Sequence, residues 1–353
     1  MQKNIPLALS FDDVLLVPQY SKIESRNLVD LTTEIVPGVV LKNPIISANM
    51  SDVTGLEMAI SLAKLGGLGV IPRFLSPEIQ AEQVSKVKKQ KLLVGAAIGV
   101  RSEMFDRIDL LVRAGADIFF LDVAHGHMSK VIDATSEFKK KYPKLPLVSG
   151  NVATGAAARD LIKAGADCIK VGVGPGSICT TRIMTGSGVP QITAIMEAAE
   201  VAHKYKKTVI ADGGIKNSGD IVKSLACGAS AVMLGNMLAG TDEAPGKKVK
   251  INGKWFKSYN GSTSLAEKSN HVKKNGKEFE KHYVKQIEGV ESLVSYKGPL
   301  SQLVEGYLAN VRSGFSYSGA FNIKELWEKA QFIQITTMGR RESEAHDVLV
   351  KGN

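Results

Sequence analysis

The sequence reads as an α/β protein, a single (β/α)8 TIM barrel with a long flap inserted after the eighth strand. Eight short apolar, largely β-branched runs carry that reading. They lie at residues 43–48, 67–71, 92–98, 117–122, 145–149, 167–173, 207–211 and 230–234. Most show no polar alternation, which marks parallel strands buried on both faces. Their starts are spaced by about 22 to 28 residues, with one gap near 40, as strand–helix units require. A short repeat agrees: Ala114-Gly-Ala-Asp117 and Ala164-Gly-Ala-Asp167 are identical, and Cys227-Gly-Ala-Ser230 is a relative. In each, glycine is expected to end a helix in a left-handed cap, and a strand begins at once. A doubly wound open sheet is the alternative, but it usually has fewer strands.

The helices follow from 3.6-residue periodicity between the runs. One closes at 85–90, and others span 103–114, 128–141, 156–164, 192–205 and 219–226. Pro143 stands just beyond the third as a stop. Residues 241–300 fall outside the repeat: they are lysine-rich, glycine-punctuated and weakly periodic. They follow the eighth strand on the face where barrel active sites lie, so a lid is expected there. Two helices at 301–312 and 323–332 come next. The tail at 333–353 is mostly polar and reads as a subunit contact.

With 353 residues, 44% hydrophobic and 23% charged, the chain is long enough for one large domain and fits neither a disordered nor a membrane class. No apolar run approaches the ~20 residues that span a bilayer, and residues 1–10 carry no signal-like apolar core. The three cysteines, Cys168, Cys179 and Cys227, are too few and scattered for a disulfide framework or a zinc site. A cytoplasmic protein is therefore expected. The net charge of +10 comes mainly from dispersed lysines, without the aromatic interleaving that stacks bases. Nucleic acid and membrane are not expected as partners. A solvated surface or a phosphate-bearing substrate accounts for the charge.

In a barrel, chemistry is read from the residues after each strand. After the sixth comes Gly172-Val-Gly-Pro-Gly-Ser-Ile-Cys-Thr-Thr-Arg182, whose glycines and Ser177 expose backbone N–H groups suited to phosphate. Cys179 in such a loop is exposed rather than packed, and N–H dipoles with Arg182 would favour its thiolate as nucleophile. Cys168, in an apolar strand, and Cys227, at a helix end, read as core. Ala211-Asp-Gly-Gly214 follows strand seven and Gly235-Asn236 follows strand eight, the recurrent barrel phosphate site, with Asp212 beside it for ribose hydroxyls. Together these point to a nucleoside monophosphate. Asp122-Val-Ala-His-Gly-His127 ends strand four. Its two histidines lack an evident third ligand, so a ligand-facing Asp122 is the better reading.

These loops resemble the IMP dehydrogenase/GMP reductase family nearly from end to end. The likeness runs through Leu9-Ser-Phe-Asp-Asp-Val-Leu-Leu-Val-Pro18, Ser47-Ala-Asn-Met50, Gly150-Asn-Val152, Gly174-Pro-Gly-Ser-Ile-Cys-Thr-Thr-Arg182, Ala211-Asp-Gly-Gly-Ile215 and Glu243-Ala-Pro-Gly246. The family's usual pair of CBS modules is absent. The resemblance implies a purine nucleoside monophosphate (GMP or IMP) as substrate, with Cys179 adding to purine C2. It implies substrate contacts at Ser47, Asn49, Ser177, Gly213, Gly214, Gly235, Asn236, Tyr259, Gly261 and Ser262, with Asp212 on the ribose and Glu288 on the base edge. Asp122, Val123 and Ala124 match a nicotinamide-cofactor segment. Gly174, Gly176 and Cys179 match a potassium (K+) site, completed by Glu342 and Ser343 of a neighbouring subunit in a homotetramer.

The direction of reaction is open in the sequence. A dehydrogenase passes hydride to NAD and hydrolyses a thioimidate with an Arg-Tyr pair on the flap. Here the aligned stretch is Lys268-Ser-Asn-His-Val-Lys-Lys274, with no such pair. A reductase expels ammonia from GMP and takes hydride from NADPH. Asn49, Asp122-Val-Ala124, Pro72-Arg-Phe74 and Thr185 lean that way, and Thr181 would help move the proton. The reductase glutamate is replaced by Leu265, leaving Glu267 as the substitute carboxylate, while Gln331-Phe-Ile333 and the tail resemble a dehydrogenase. GMP reductase with NADPH is favoured. The alternatives are IMP dehydrogenase with NAD, a member acting on a modified purine nucleotide, and a non-catalytic nucleotide-binding barrel.

Overall fold

The computed structural model describes residues 4–100, 103–261, 264, 287–344 and 348. Eight parallel strands close a barrel: β1 (Ile45–Ser47), β2 (Leu68–Ile71), β3 (Val94–Ile98), β4 (Ile118–Asp122), β5 (Leu147–Val152), β6 (Cys168–Val171), β7 (Thr208–Asp212) and β8 (Ala231–Leu234). Each overlaps the run that predicted it. β8 closes the ring on β1, pairing Val232 with Ile45 and Leu234 with Ser47. β3 is buried along its whole length, as Val-Gly-Ala-Ala-Ile would require between a filled barrel and a helix layer.

The outer layer is α1 (Leu56–Lys64), α2 (Pro77–Lys89), α3 (Met104–Ala114), α4 (Ser129–Lys141), α5 (Gly155–Lys163), α6 (Gln191–Lys204), α7 (Ser218–Ala226) and α8 (Leu300–Tyr317). Side-chain caps set the starts of α2, α5 and α7. Ser76 accepts the Ile79 N–H at 3.3 Å with Pro77 in the first turn, and Asn217 accepts the Asp220 N–H at 2.9 Å. The repeated glycines end helices as expected: Gly115, Gly165 and Gly228 have φ of 90°, 110° and 102°. β3 follows α2 after four residues.

The repeat has a second purpose. Asp117 accepts the Val94 N–H at 2.9 Å and Lys88 Nζ at 2.7 Å, and Asp167 accepts the Leu147 N–H at 3.1 Å and Lys139 Nζ at 2.8 Å. Each aspartate thus ties the start of its strand to the start of the preceding strand and to the lysine-rich end of the helix that leads into that preceding strand.

The segment after β8 is more ordered than its weak periodicity suggested. β9 (Lys248–Ile251), β10 (Lys254–Asn260) and β11 (Glu291–Ser295) form an antiparallel sheet. Lys257, buried in β10, donates to the carbonyls of Thr241 (2.7 Å) and Ala244, so its ammonium caps the chain leaving β8. The expected helix at 323–332 stops at Lys329, because Phe332–Gln334 pairs antiparallel with Val14–Leu16. A short helix, Thr337–Arg341, lies beyond. No helix among the described residues is long and apolar enough to cross a membrane.

Candidate active site

The carboxyl ends of the barrel strands surround a pocket of about 650 Å³. Asp122 is the last residue of β4 and Asp212 the last of β7, while Lys170 and Asn151 lie near the ends of β6 and β5. All four line it, together with the loop from Gly174 to Cys179.

That loop is folded by its glycines. A Cβ on Gly172 would lie 1.9 Å from the Asp212 carbonyl oxygen, so only glycine lets β6 leave the barrel this close to β7. Gly213 and Gly214, at φ of 93° and 79°, pack on Pro175, bringing the two glycine-bearing loops together. Tyr259 of β10 is buried with its hydroxyl against Gly235, where a Cβ would stand 2.6 Å away. Its side chain also hydrogen-bonds Ser177. Burial pushes the phenol up to about 12, so it stays protonated and able to donate. Ser177, Gly213, Gly214, Gly235, Asn236 and Tyr259 all line the pocket.

Cys179 lines the same pocket, half-buried, with its N–H donating to the Gly176 carbonyl at 3.1 Å. Arg182 turns away from it: its guanidinium donates to the Val189 carbonyl at 2.7 Å, beneath Gly174 and Gly188. The neighbour of the thiol is instead Thr181, with Sγ and Oγ1 3.1 Å apart. Thr181 Oγ1 donates in turn to Glu288 Oε2 at 2.7 Å. Glu288 is carried there by backbone pairing: Thr180 N–H donates to Glu288 O, and Val290 N–H to Ile178 O. Gly261 lies against Gly289 and the Ile178 carbonyl oxygen, so it rests on the cysteine loop as Glu288 and Val290 do.

A buried polar cluster floors the pocket. Lys170, 1% exposed, donates to Asp122 Oδ1 at 2.8 Å, Asp212 Oδ2 at 2.6 Å and Asn151 Oδ1. Asn151 Nδ2 donates to Asp212 Oδ2 at 2.8 Å. Burial would raise the pKa of Asp122, but Lys170, Arg73 and a hydrogen bond with Asn49 outweigh it and hold it below the usual carboxylate range.

Most sequence-derived candidates meet in this pocket, including Asn49, Val123, Ala124, Gly174, Gly176 and Gly261. Ser47 does not line it. It is fully buried, and its hydroxyl accepts that of Thr54 at 2.7 Å, which braces the end of β1. Glu342 and Ser343 stand on the exposed turn after the last helix, away from the pocket wall of their own chain. Ser262, Leu265 and Glu267 lie outside the described residues. Among the described residues the carboxylate on the Thr181 hydroxyl is Glu288, a partner that the sequence reading did not assign to it. Sequence reading also missed Lys170 and Asn151. Lys170 is the one charged residue inside the apolar run of β6, a signal passed over because the run reads as core.

The family model described as IMP dehydrogenase / GMP reductase domain matches residues 8–346. Proteins named inosine-5'-monophosphate dehydrogenase match nearly the whole chain. That of Cryptosporidium parvum is 42% identical, covering 98% of this chain and 96% of its own. That of Aquifex aeolicus is 37% identical, covering 99% and 97%, and that of Bacillus subtilis 36%, covering 97% and 96%. The Aquifex alignment extends over 478 positions against 353 residues here, so that relative carries sequence with no counterpart in this chain. A closed barrel, a pocket walled by the matching loops and likeness of this extent agree: the chain belongs to the IMP dehydrogenase/GMP reductase family of purine nucleotide oxidoreductases.

Proposed function

We propose that the protein is an IMP dehydrogenase, converting IMP, NAD and water to XMP and NADH. The observation that carries this is the line from Cys179 Sγ to Thr181 Oγ1 to Glu288 Oε2. The preference for a reductase rested on the missing Arg-Tyr pair, which left hydrolysis without a base. A threonine hydroxyl held by a carboxylate beside the reacting sulfur offers one. The names of the relatives favour the same direction.

In this reading the phosphate is held by Ser177, Gly213, Gly214, Gly235, Asn236 and Tyr259, and the ribose by Asp212. The Cys179 thiolate adds to purine C2. The hydrogen on C2 leaves as hydride to NAD, which docks beside Asp122, Val123 and Ala124, giving NADH and a thioimidate. Water then adds to C2, its proton passing through Thr181 to Glu288. The C–S bond breaks, releasing XMP and the thiolate. We further propose a cytoplasmic homotetramer, and potassium on the carbonyls of Gly174, Gly176 and Cys179. The Gly176 carbonyl accepts one N–H and retains a lone pair for a cation. Glu342 and Ser343 of a second copy would complete that site.

GMP reductase with NADPH is the second reading, favoured by the absence of Arg-Tyr and by Asn49. The same relay would then deliver a proton to departing ammonia. Four mixtures separate the two: IMP with NAD, IMP with NADP, GMP with NADPH, and GMP with NADH. XMP from IMP and NAD is expected. Ammonia release with NADPH oxidation in the GMP arm, and no XMP, would overturn the dehydrogenase reading. Silence in all four would point to a modified purine.

A further inference from the structure

Lys170 occupies an unusual place for a charged residue. It lies within an otherwise apolar barrel strand, its side chain only 2% exposed, and three acceptors on three other strands surround its ammonium. Asp122 comes from β4, Asn151 from β5 and Asp212 from β7. An ammonium has three donors, so this set saturates it. Lys170 takes only one oxygen of each aspartate, Oδ1 of Asp122 and Oδ2 of Asp212. Asn151 adds its amide to the same Asp212 oxygen. Both carboxylates line the pocket, and each is 19% exposed toward it.

A cation needed only for folding would have no reason to bridge two pocket-facing carboxylates. Without it, two negative charges within a few ångströms of each other would share a proton, as like-charged carboxylates do. A half-protonated pair would present the wrong groups to both ligands at once. Arg73 donates to the Asp122 backbone carbonyl at 3.2 Å and faces the same aspartate, but it does not bond to Asp212 among the described residues. Lys170 alone therefore spans both.

We propose that Lys170 is a positioning residue that couples the two halves of the site, so that nucleotide bound at Asp212 strengthens dinucleotide binding at Asp122. This rests on the assignment above of Asp212 to the nucleotide ribose and Asp122 to the nicotinamide side. Ligand hydroxyls on Asp212 fix its orientation. Lys170 transmits that order to Asp122, which the second ligand then finds already aligned.

The test is a binding cycle on the full chain with Cys179→Ser, so that no turnover occurs. NAD affinity is measured by calorimetry with and without saturating IMP. The same cycle is run with GMP and NADPH if that is the pair the wild type turns over. A gain of about tenfold is expected, falling to within about twofold of unity when Lys170→Met is added, and largely restored by Lys170→Arg. In the background with Cys179 intact, Lys170→Met should also add a pH-dependent step, absent from wild type, to kcat/KM for the dinucleotide. Unchanged coupling and an unchanged pH profile in Lys170→Met would overturn the inference and leave the proposed function standing. A wild type that turns over no purine nucleotide would overturn both. Should Lys170→Met fail to fold, Asp122→Asn carries the test, since it keeps Lys170 but alters one end of the bridge. IMP affinity weakened severalfold supports the coupling, and IMP affinity unchanged contradicts it.

Discussion

Cys179 and Glu288 are 109 positions apart in the sequence, yet a single threonine hydroxyl joins them. If Glu288 takes the proton of the attacking water, Glu288→Gln should leave the first hydride transfer nearly intact. Steady turnover should then fall by about 10²–10⁴, the usual worth of a general base. Stopped-flow absorbance would show a burst of NADH followed by a slow steady state. Equal slowing of burst and steady state would remove Glu288 from the hydrolytic step. The sequence made Cys179 legible because three closely spaced glycines just before a thiol are a local signal. The pairing of Thr181 with Glu288 left no local trace, since it is made by backbone bonds across a long insertion. Lys170 was hidden for the opposite reason: its partners lie on three other strands, and along its own strand it is one polar letter in an apolar word.

Among the elements, the eight strands and their helices were legible because burial on both faces leaves a continuous apolar run. The flap sheet was not: β9 reads Lys-Val-Lys-Ile, too short and too charged to stand out, and its pairing is antiparallel to β10. The strand Phe332–Gln334 straddles the end of the expected 323–332 helix and the start of the expected tail, and it left no signal because its partner, Val14–Leu16, is at the opposite end of the chain. The repeated aspartates were read only as strand starts, and their lysine partners make them structural ties. Burial opposes the charge of Asp167, but hydrogen bonds from Lys139 and Lys207 outweigh it and hold its pKa below the ordinary value. A depressed carboxylate stabilises the fold above its unfolded pKa and loses that contribution as pH falls through its folded one. Asp167→Ala should therefore cost about 2 kcal/mol at pH 7, in the range of hydrogen bonds to charged groups. The difference from wild type should shrink below about pH 4. Urea unfolding at pH 7 and pH 3 checks both the size and the sign, and a gap that widens in acid would contradict the assignment.

At the scale of the molecule, the C-terminal segment folds back on the start of the chain. Arg340 reaches Asp12 at 3.1 Å, and Lys216, after β7, reaches the same carboxylate at 2.7 Å. Both pairs are partly exposed and contribute little to stability. Removing residues 339–353 should accordingly reduce activity and its response to potassium more than it lowers the unfolding midpoint. Full potassium-dependent activity in the truncated chain would dismiss the tail as a partner of the cysteine loop. The central claim is that Cys179 forms a covalent purine intermediate in the direction of oxidation. Intact-protein mass spectrometry on samples quenched within the first turnover of IMP with NAD tests it most directly. The expected result is a nucleotide-sized adduct that maps to Cys179, rises together with NADH and is absent in Cys179→Ser. No adduct from IMP and NAD, with one formed from GMP as ammonia is released, would contradict it.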